Sequence, residues 1–336
     1  MSETLTAVVP YRSGDATDRA DRWATLGEDE RKRHAMEAAR DHDGVALWDL
    51  TQSWLILHGR KGATVSLRTL ASYCDALLPS APPERNNNKA RPHGHPLLDA
   101  WRHENLLHPG RMSGTRWLRG LEGAGMKPAS VRVYLAAART LYAALRSTGA
   151  TTADPFKDLH ASTDPVPRWE KRQPYGEDDV SKMLAVADPT ERVLLLLGAH
   201  AGLRVSEMVA LRWSDIGPGR ATLVVQGGKG GKKRTIPLSG TLARALATLP
   251  VRHSTDRILP YRDRNAVYYR VRAITQRAGV TPLGVHSLRH YAGTRLVRET
   301  DNLEMASHLL GHSSVATTQI YAKWSDEGLK KTLAAW

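Results

Sequence analysis

The amino-acid sequence predicts a mainly α-helical protein with one small β-sheet, divided into two domains. Three observations predict it. The chain has 336 residues, enough for two separately buried cores. Apolar residues recur at helical spacing through most of it, and only two short segments, 221–226 and 234–238, read as strands, on either side of a Gly-Lys-rich turn. A stretch at 154–173, carrying Pro155, Pro165 and Pro167 and ending before Pro174, reads as the connection between the domains.

The N-terminal half divides as follows. Residues 1–40 are charged and read as an extension, with a solvated helix over 27–40. A helical domain is expected over 41–160. Its first packed helix covers 45–56 with Trp48 and Trp54, and its second carries Leu67, Leu70, Ala71, Cys74, Leu77 and Leu78. Cys74 is the only cysteine, so no disulfide framework or Cys-based zinc site forms within one chain, and its place on an apolar stripe marks a core thiol. Residues 79–96 hold five prolines and Asn86, Asn87 and Asn88, and read as a loop. Helices resume at 97–107 and 115–122. Pro128 then opens a long helix whose apolar stripe is Val131, Tyr134, Leu135, Ala138, Leu141, Tyr142 and Leu145. Arg132, Arg139 and Arg146 recur every seven residues on another face, which either follows DNA phosphates or is simply solvated.

After a linker at 161–173, a mixed domain is expected over 174–336. Helices are predicted at 177–187, 190–200, 264–277, 287–298, 303–310, 315–320 and 326–335, with the two strands between the second and third of these.

Composition narrows the partner. Forty-eight Lys and Arg face 34 Asp and Glu, and the net charge is +14, which points to a polyanion, nucleic acid ahead of a membrane surface. Aromatic residues make up 6% of the chain with Phe156 the only Phe, so a stacking platform for single strands is not indicated. No signal peptide and no apolar run long enough to span a bilayer is seen, which places the expected protein in the cytoplasm.

Four segments of the second half carry chemistry. They are Gly202-Leu203-Arg204-Val205-Ser206-Glu207, the turn Gly228-Lys229-Gly230-Gly231-Lys232-Lys233-Arg234, His286-Ser287-Leu288-Arg289-His290, and Leu310-Gly311-His312 followed by Tyr321. Arg204 and Arg289 can each present a planar fork to phosphate oxygens and stabilise charge on a pentacoordinate phosphorus. Lys229, in a Gly-rich turn, can reach a leaving oxygen as a proton donor. His286 and His312 can move protons near neutral pH. The phenol of Tyr321 can serve as a covalent nucleophile. The turn lacks the Gly-x4-Gly-Lys-Ser/Thr pattern of a P-loop. The pairs His286/His290 and His308/His312 have metal-ligand spacing, but no His-Glu-x-x-His pattern occurs, so no metal and no cofactor is expected.

In this order the segments resemble the phage integrase, or tyrosine recombinase, family, with its Xer-like branch the nearest in pattern, across nearly all of 45–336. The resemblance implies a two-domain DNA clamp with an α-helical core-binding domain and a mixed α/β catalytic domain. It implies Arg204, Lys229, His286, Arg289, His312 and Tyr321 as the catalytic set, with Lys232 as the alternative hairpin lysine. Glu207 and His290 are supporting positions, and Lys232, Lys233 and Arg234 join the arginine stripe as candidate DNA contacts. Tyr321-Ala322-Lys323-Trp324 departs from the family's commoner Tyr-Thr-His ending, and residues 79–96 have no counterpart.

The implied reaction is cleavage and rejoining of duplex DNA at specific target sites through a 3′-phosphotyrosyl link, without metal or ATP, by a homotetramer on paired sites. A second recombinase or an accessory protein is a further possible partner. Association with the nucleoid follows. Rival readings are a type IB topoisomerase, which relaxes DNA as a monomer, and an architectural DNA-binding protein without catalysis. Beyond Tyr321, Ser325 can cap a helix over 325–336, with Asp326 and Glu327 in its first turn and Leu329, Leu333 and Trp336 on one face. So short a helix needs a docking surface. The resemblance implies that the surface lies on a neighbouring protomer rather than on its own domain.

Overall fold

The structure, a computed structural model, describes residues 13–78, 96–166, 173–226, 233–251 and 253–311. The expected loop at 79–96 falls outside these residues except for Pro96. So do the expected helices at 315–320 and 326–335. The described chain is mainly helical with a two-stranded sheet, and it forms two units, Met1–Pro165 and Val166–Trp336. The division falls inside the stretch expected to connect the domains. Among the described residues, no helix is long and apolar enough to cross a membrane.

The first unit contains α1 (Ser13–Thr25), α2 (Glu28–Arg40), α3 (Gly44–His58), α4 (Leu67–Leu77), α5 (Leu97–Ala100), α6 (Ser113–Gly123) and α7 (Pro128–Ser147). Helix α7 is its axis. Pro128 occupies the first turn, where its missing N–H costs nothing, and Val131, Leu135, Ala138, Leu141, Tyr142 and Leu145 are buried along one stripe. Phe156 closes the core, stacked on Trp101 with centroids 5.4 Å apart and edge-on to Trp117 and Tyr142. The Cys74 thiol packs against this core, and burial, helped by Asp75, pushes its pKa up to about 11.

Two expectations for this unit are corrected. Residues 13–40 are not a solvated extension, because Ala16, Ala20, Ala35, Ala38 and Ala39 belong to the buried core. Small side chains at helical spacing let α1 and α2 pack closely on α3 while the rest of each helix stays charged, so mean hydropathy conceals the packing face. The helix expected over 97–107 stops at Ala100. Side chains there offer the backbone other partners: Asn105 Oδ1 accepts from the N–H of Leu107 and His108, and Glu104 Oε1 from Gly110 N–H and Ser113 Oγ.

The second unit contains α8 (Glu177–Ala185), α9 (Pro189–Ala199), α10 (Val205–Ala210), β1 (Thr222–Val225), β2 (Arg234–Pro237), α11 (Gly240–Ala247), α12 (Arg264–Arg277), α13 (Val285–Thr300) and α14 (Leu303–Leu310). Helices α10 and α11 have no counterpart in the sequence reading; both are short, and Arg204 opens the first where a capping Ser or Asp would have signalled it. The strands are antiparallel, pairing Leu223 with Ile236 and Val225 with Arg234. Leu223, Val225 and Ile236 face the core. Helix α9 is buried almost all round, from Val193 through Ala199, and packs against α13.

Candidate active site

The site starts where α9 ends. Gly202 turns the chain at φ +60°, and a Cβ there would lie 2.7 Å from Leu310 Cδ2, so only glycine allows this approach to α14. The turn delivers Arg204 to the start of α10. Glu207, one turn later, reaches back: its Oε2 accepts from the Arg204 backbone N–H at 2.8 Å and its Oε1 from Arg204 Nη1 at 2.9 Å. From β2, Arg234 meets the same carboxylate with both terminal nitrogens, each at 3.0 Å. Glu207 thus accepts four hydrogen bonds with its side chain only 4% exposed.

Burial by itself would push the Glu207 carboxyl up. The Arg234 pair, the Arg204 N–H and the Arg204 guanidinium outweigh it and bring the pKa down to about 2. Its ionised form therefore adds stability above the unfolded carboxyl's value, about 4.3, and that stability is lost as the pH falls from there toward 2. Glu207→Gln should remove this pH-dependent component from unfolding curves taken between about pH 5 and pH 2. Parallel curves for the two proteins would contradict the linkage.

Arg289 enters from α13. This helix starts at Val285 after Gly284 at φ +92°, and the N–H groups of Leu283 and Gly284 both donate to the buried Tyr175 hydroxyl at 3.0 Å. Tyr175 anchors the helix and escaped the sequence reading, since a single Tyr after Pro174 shows no periodic signal. Arg289, 5% exposed, donates from Nη1 to the Gly202 carbonyl and from Nη2 to the Leu310 carbonyl, each at 2.5 Å. Arg204 Nη2 lies 3.4 Å from the next carbonyl, Gly311. The two guanidiniums therefore converge on the C-terminal end of α14, where carbonyls without helical partners and the negative end of the helix dipole favour cations. Among the described residues, the guanidiniums of Arg204 and Arg234 share the Glu207 carboxylate, while Arg289 is held by backbone carbonyls.

Arg204 and Glu207, three residues apart, are brought together here with Arg289, which is distant in sequence. His286 is exposed on the first turn of α13 and His290 is buried, with Arg289 three residues from the first and adjacent to the second. Lys229, Lys232, His312, Tyr321 and the expected tail helix with Ser325 and Trp336 lie outside the described residues. Lys233, just before β2, is exposed.

Three of the expected DNA contacts, Arg139, Arg146 and Arg234, make hydrogen bonds within the chain. Arg139 donates to the carbonyls of Phe156 and Leu159, and Arg146 to that of Ala153 while pairing with Asp154 at 3.2 Å. These two arginines fasten the segment after α7, although Arg139 remains exposed; Arg132, also exposed, has no such bond among the described residues. Arg234 is turned inward onto Glu207. The signal was available: two-residue alternation puts it on the same face of β2 as the buried Ile236.

Residues 175–327 match the model of the phage integrase family. The tyrosine recombinase XerC of Xanthomonas campestris is 31% identical over 228 residues, covering 63% of this chain and 69% of that protein. This chain belongs to the phage integrase family of tyrosine recombinases, in its Xer-like branch. Tyrosine recombinase XerA of Thermococcus kodakarensis is 38% identical over 169 residues, or 46% of this chain, and the chain spans 59% of that protein's length. Two solved structures share the fold. Lambda integrase bound as a dimer to a COC′ core site gives a TM-score of 0.59 at 19% identity, covering 81% of this chain and 75% of its own. The XerH recombinase bound to palindromic difH substrate gives 0.58 at 17% identity, covering 91% and 94%.

Proposed function

We propose that this chain is a site-specific recombinase that cleaves and rejoins duplex DNA through Tyr321. The convergence of Arg204 and Arg289 on one helix end, with Glu207 holding the first, is the observation that carries the reading. Such a pair of preorganised forks suits the nonbridging oxygens of a phosphodiester as charge builds at phosphorus. The fold it shares with recombinases captured on DNA core sites and on difH supports duplex DNA as the substrate.

In this mechanism the Tyr321 oxygen attacks the scissile phosphorus and the bond to the 5′ oxygen breaks, leaving a 3′-phosphotyrosyl link. His286 assists removal of the phenol proton, Lys229 protonates the departing 5′ oxygen, and His312 joins the arginines on the nonbridging oxygens. A 5′-hydroxyl from the partner duplex then attacks the link and releases Tyr321. One phosphodiester is exchanged for another, so no ATP is consumed.

Both units contact the duplex. Four copies act on paired sites, with residues 325–336 docking onto the neighbouring protomer. The protein works in the cytoplasm on nucleoid DNA. A tetramer captured on a Holliday junction for lambda integrase supports this assembly.

The test is to trap the protein on fragmented genomic DNA and sequence the attached ends. A recurrent site joined through its 3′ ends is expected, and removing residues 328–336 should leave adduct formation at single sites but abolish pairing of sites. Attachment without sequence preference would favour topoisomerase chemistry, and no adduct at all would favour a DNA-binding protein without catalysis.

A further inference from the structure

We propose that Arg234 is a positioning residue, locking the Glu207 carboxylate and through it the guanidinium of Arg204. The proposal rests on the recombinase reading for Arg204, and it gives Arg234 a part other than contact with DNA. Its geometry is bidentate, 3.0 Å from each terminal nitrogen to Glu207, with the Arg234 side chain 11% exposed and the Glu207 side chain 4% exposed. Little of this guanidinium is left to meet a phosphate.

The contact spans three elements. Arg234 opens β2, just after the turn that carries Lys229; Glu207 lies on α10, which Arg204 begins; and Gly311 closes α14. At Gly311, φ +61°, an added Cβ would lie 2.8 Å from Arg234 Cδ and 2.9 Å from Nη1, so the guanidinium rests directly on the backbone that precedes His312. One side chain therefore ties together the strand after the lysine turn, the first arginine and the approach to the second histidine. Its Nε is buried without a hydrogen-bond partner among the described residues. That is a cost which packing alone does not explain and which a shorter apolar residue would avoid.

Around Glu207 stand Arg204 at the start of its own helix, Arg234 from β2, and Arg289 from α13 on the neighbouring Leu310 carbonyl. With Arg234 gone, burial acts on the carboxyl with less to oppose it. Glu207 then takes up a proton nearer neutral pH, and a neutral carboxyl holds Arg204 less firmly.

The experiment compares the full chain with Arg234→Gln, Arg234→Lys, Glu207→Gln and the double variant Arg234→Gln/Glu207→Gln. DNA affinity and its salt dependence are read first, then covalent adduct formation from pH 5 to pH 8. Arg234→Gln should leave affinity and salt slope unchanged but slow adduct formation by roughly 10- to 100-fold, the scale on which a misplaced catalytic group acts. An acid limb should appear that the unaltered protein lacks. Arg234→Lys should recover part of the rate. In the double variant the rate should fall no further than in Glu207→Gln, since both changes break one link.

A thermal unfolding series keeps the test independent of the reaction. The destabilisation by Arg234→Gln at pH 7 should shrink as the pH falls toward 4, because protonation relieves a buried unpaired carboxylate, and Glu207→Gln should remove that dependence. A salt slope shallower by about 0.9, one phosphate contact, would make Arg234 a DNA contact and overturn the proposal. Additive rate losses in the double variant, or a pH-independent destabilisation, would overturn it equally. No adduct from the unaltered protein would instead overturn the recombinase reading, leaving the unfolding series to decide whether Arg234 governs Glu207.

Discussion

Tyr321→Phe is expected to bind DNA as the unaltered protein does and to form no covalent adduct. The change removes one oxygen and keeps the ring, so packing and phosphate contacts persist while the only atom that could bond to phosphorus is gone. Other nucleophiles on this chain do not substitute easily, because attack in line with the leaving 5′ oxygen demands a geometry that a neighbouring hydroxyl or water does not inherit. The measurement is denaturing electrophoresis of a labelled duplex after incubation, beside an affinity measurement at the same salt. A slow-migrating adduct formed by Tyr321→Phe would remove Tyr321 from the reaction and require another nucleophile.

Much of the scaffold was legible because its physics is local. The apolar stripe from Val131 to Leu145 follows a helical period, and α12 spans Arg264–Arg277, the bounds the sequence predicts. The sequence singles out Arg204, Glu207 and Arg289, and the fold places these three side chains close together. What was not legible depends on contacts across the fold. Gly202 combines a φ of +60° with the close approach of Leu310, and nothing near Gly202 in sequence reports that contact. Seven-residue spacing put Arg139 and Arg146 on one face of a helix, but spacing does not reveal that both donate to carbonyls of the segment from Ala153 to Leu159. Charge misled in the same way at the N terminus, where α1 and α2 bury alanines beneath a polar exterior. The half-buried Arg234 sits in a run of basic residues that invites a single explanation for all of them, although strand alternation sets it apart.

Arg289→Ala is expected to slow adduct formation by about 100-fold or more, the scale for losing one preorganised transition-state donor. The structure adds a second consequence. Arg289 satisfies the carbonyls of Gly202 and Leu310, so truncation leaves two buried acceptors without this donor and opens a cavity beside α14. Each orphaned acceptor costs on the order of 1–3 kcal/mol, unless water enters the space. Both effects lower apparent activity, and they separate by measurement. Stability is read from urea unfolding, and chemistry from single-turnover adduct formation at a temperature where the variant is fully folded. Arg289→Lys sharpens the distinction, because an ammonium can reach one carbonyl or one phosphate oxygen but cannot span two as the planar fork does. It should regain part of the stability and little of the rate. If the folded variants form adducts at the unaltered rate, Arg289 is a clasp for the Gly202 turn and the end of α14, and the charge at phosphorus must be met by other groups.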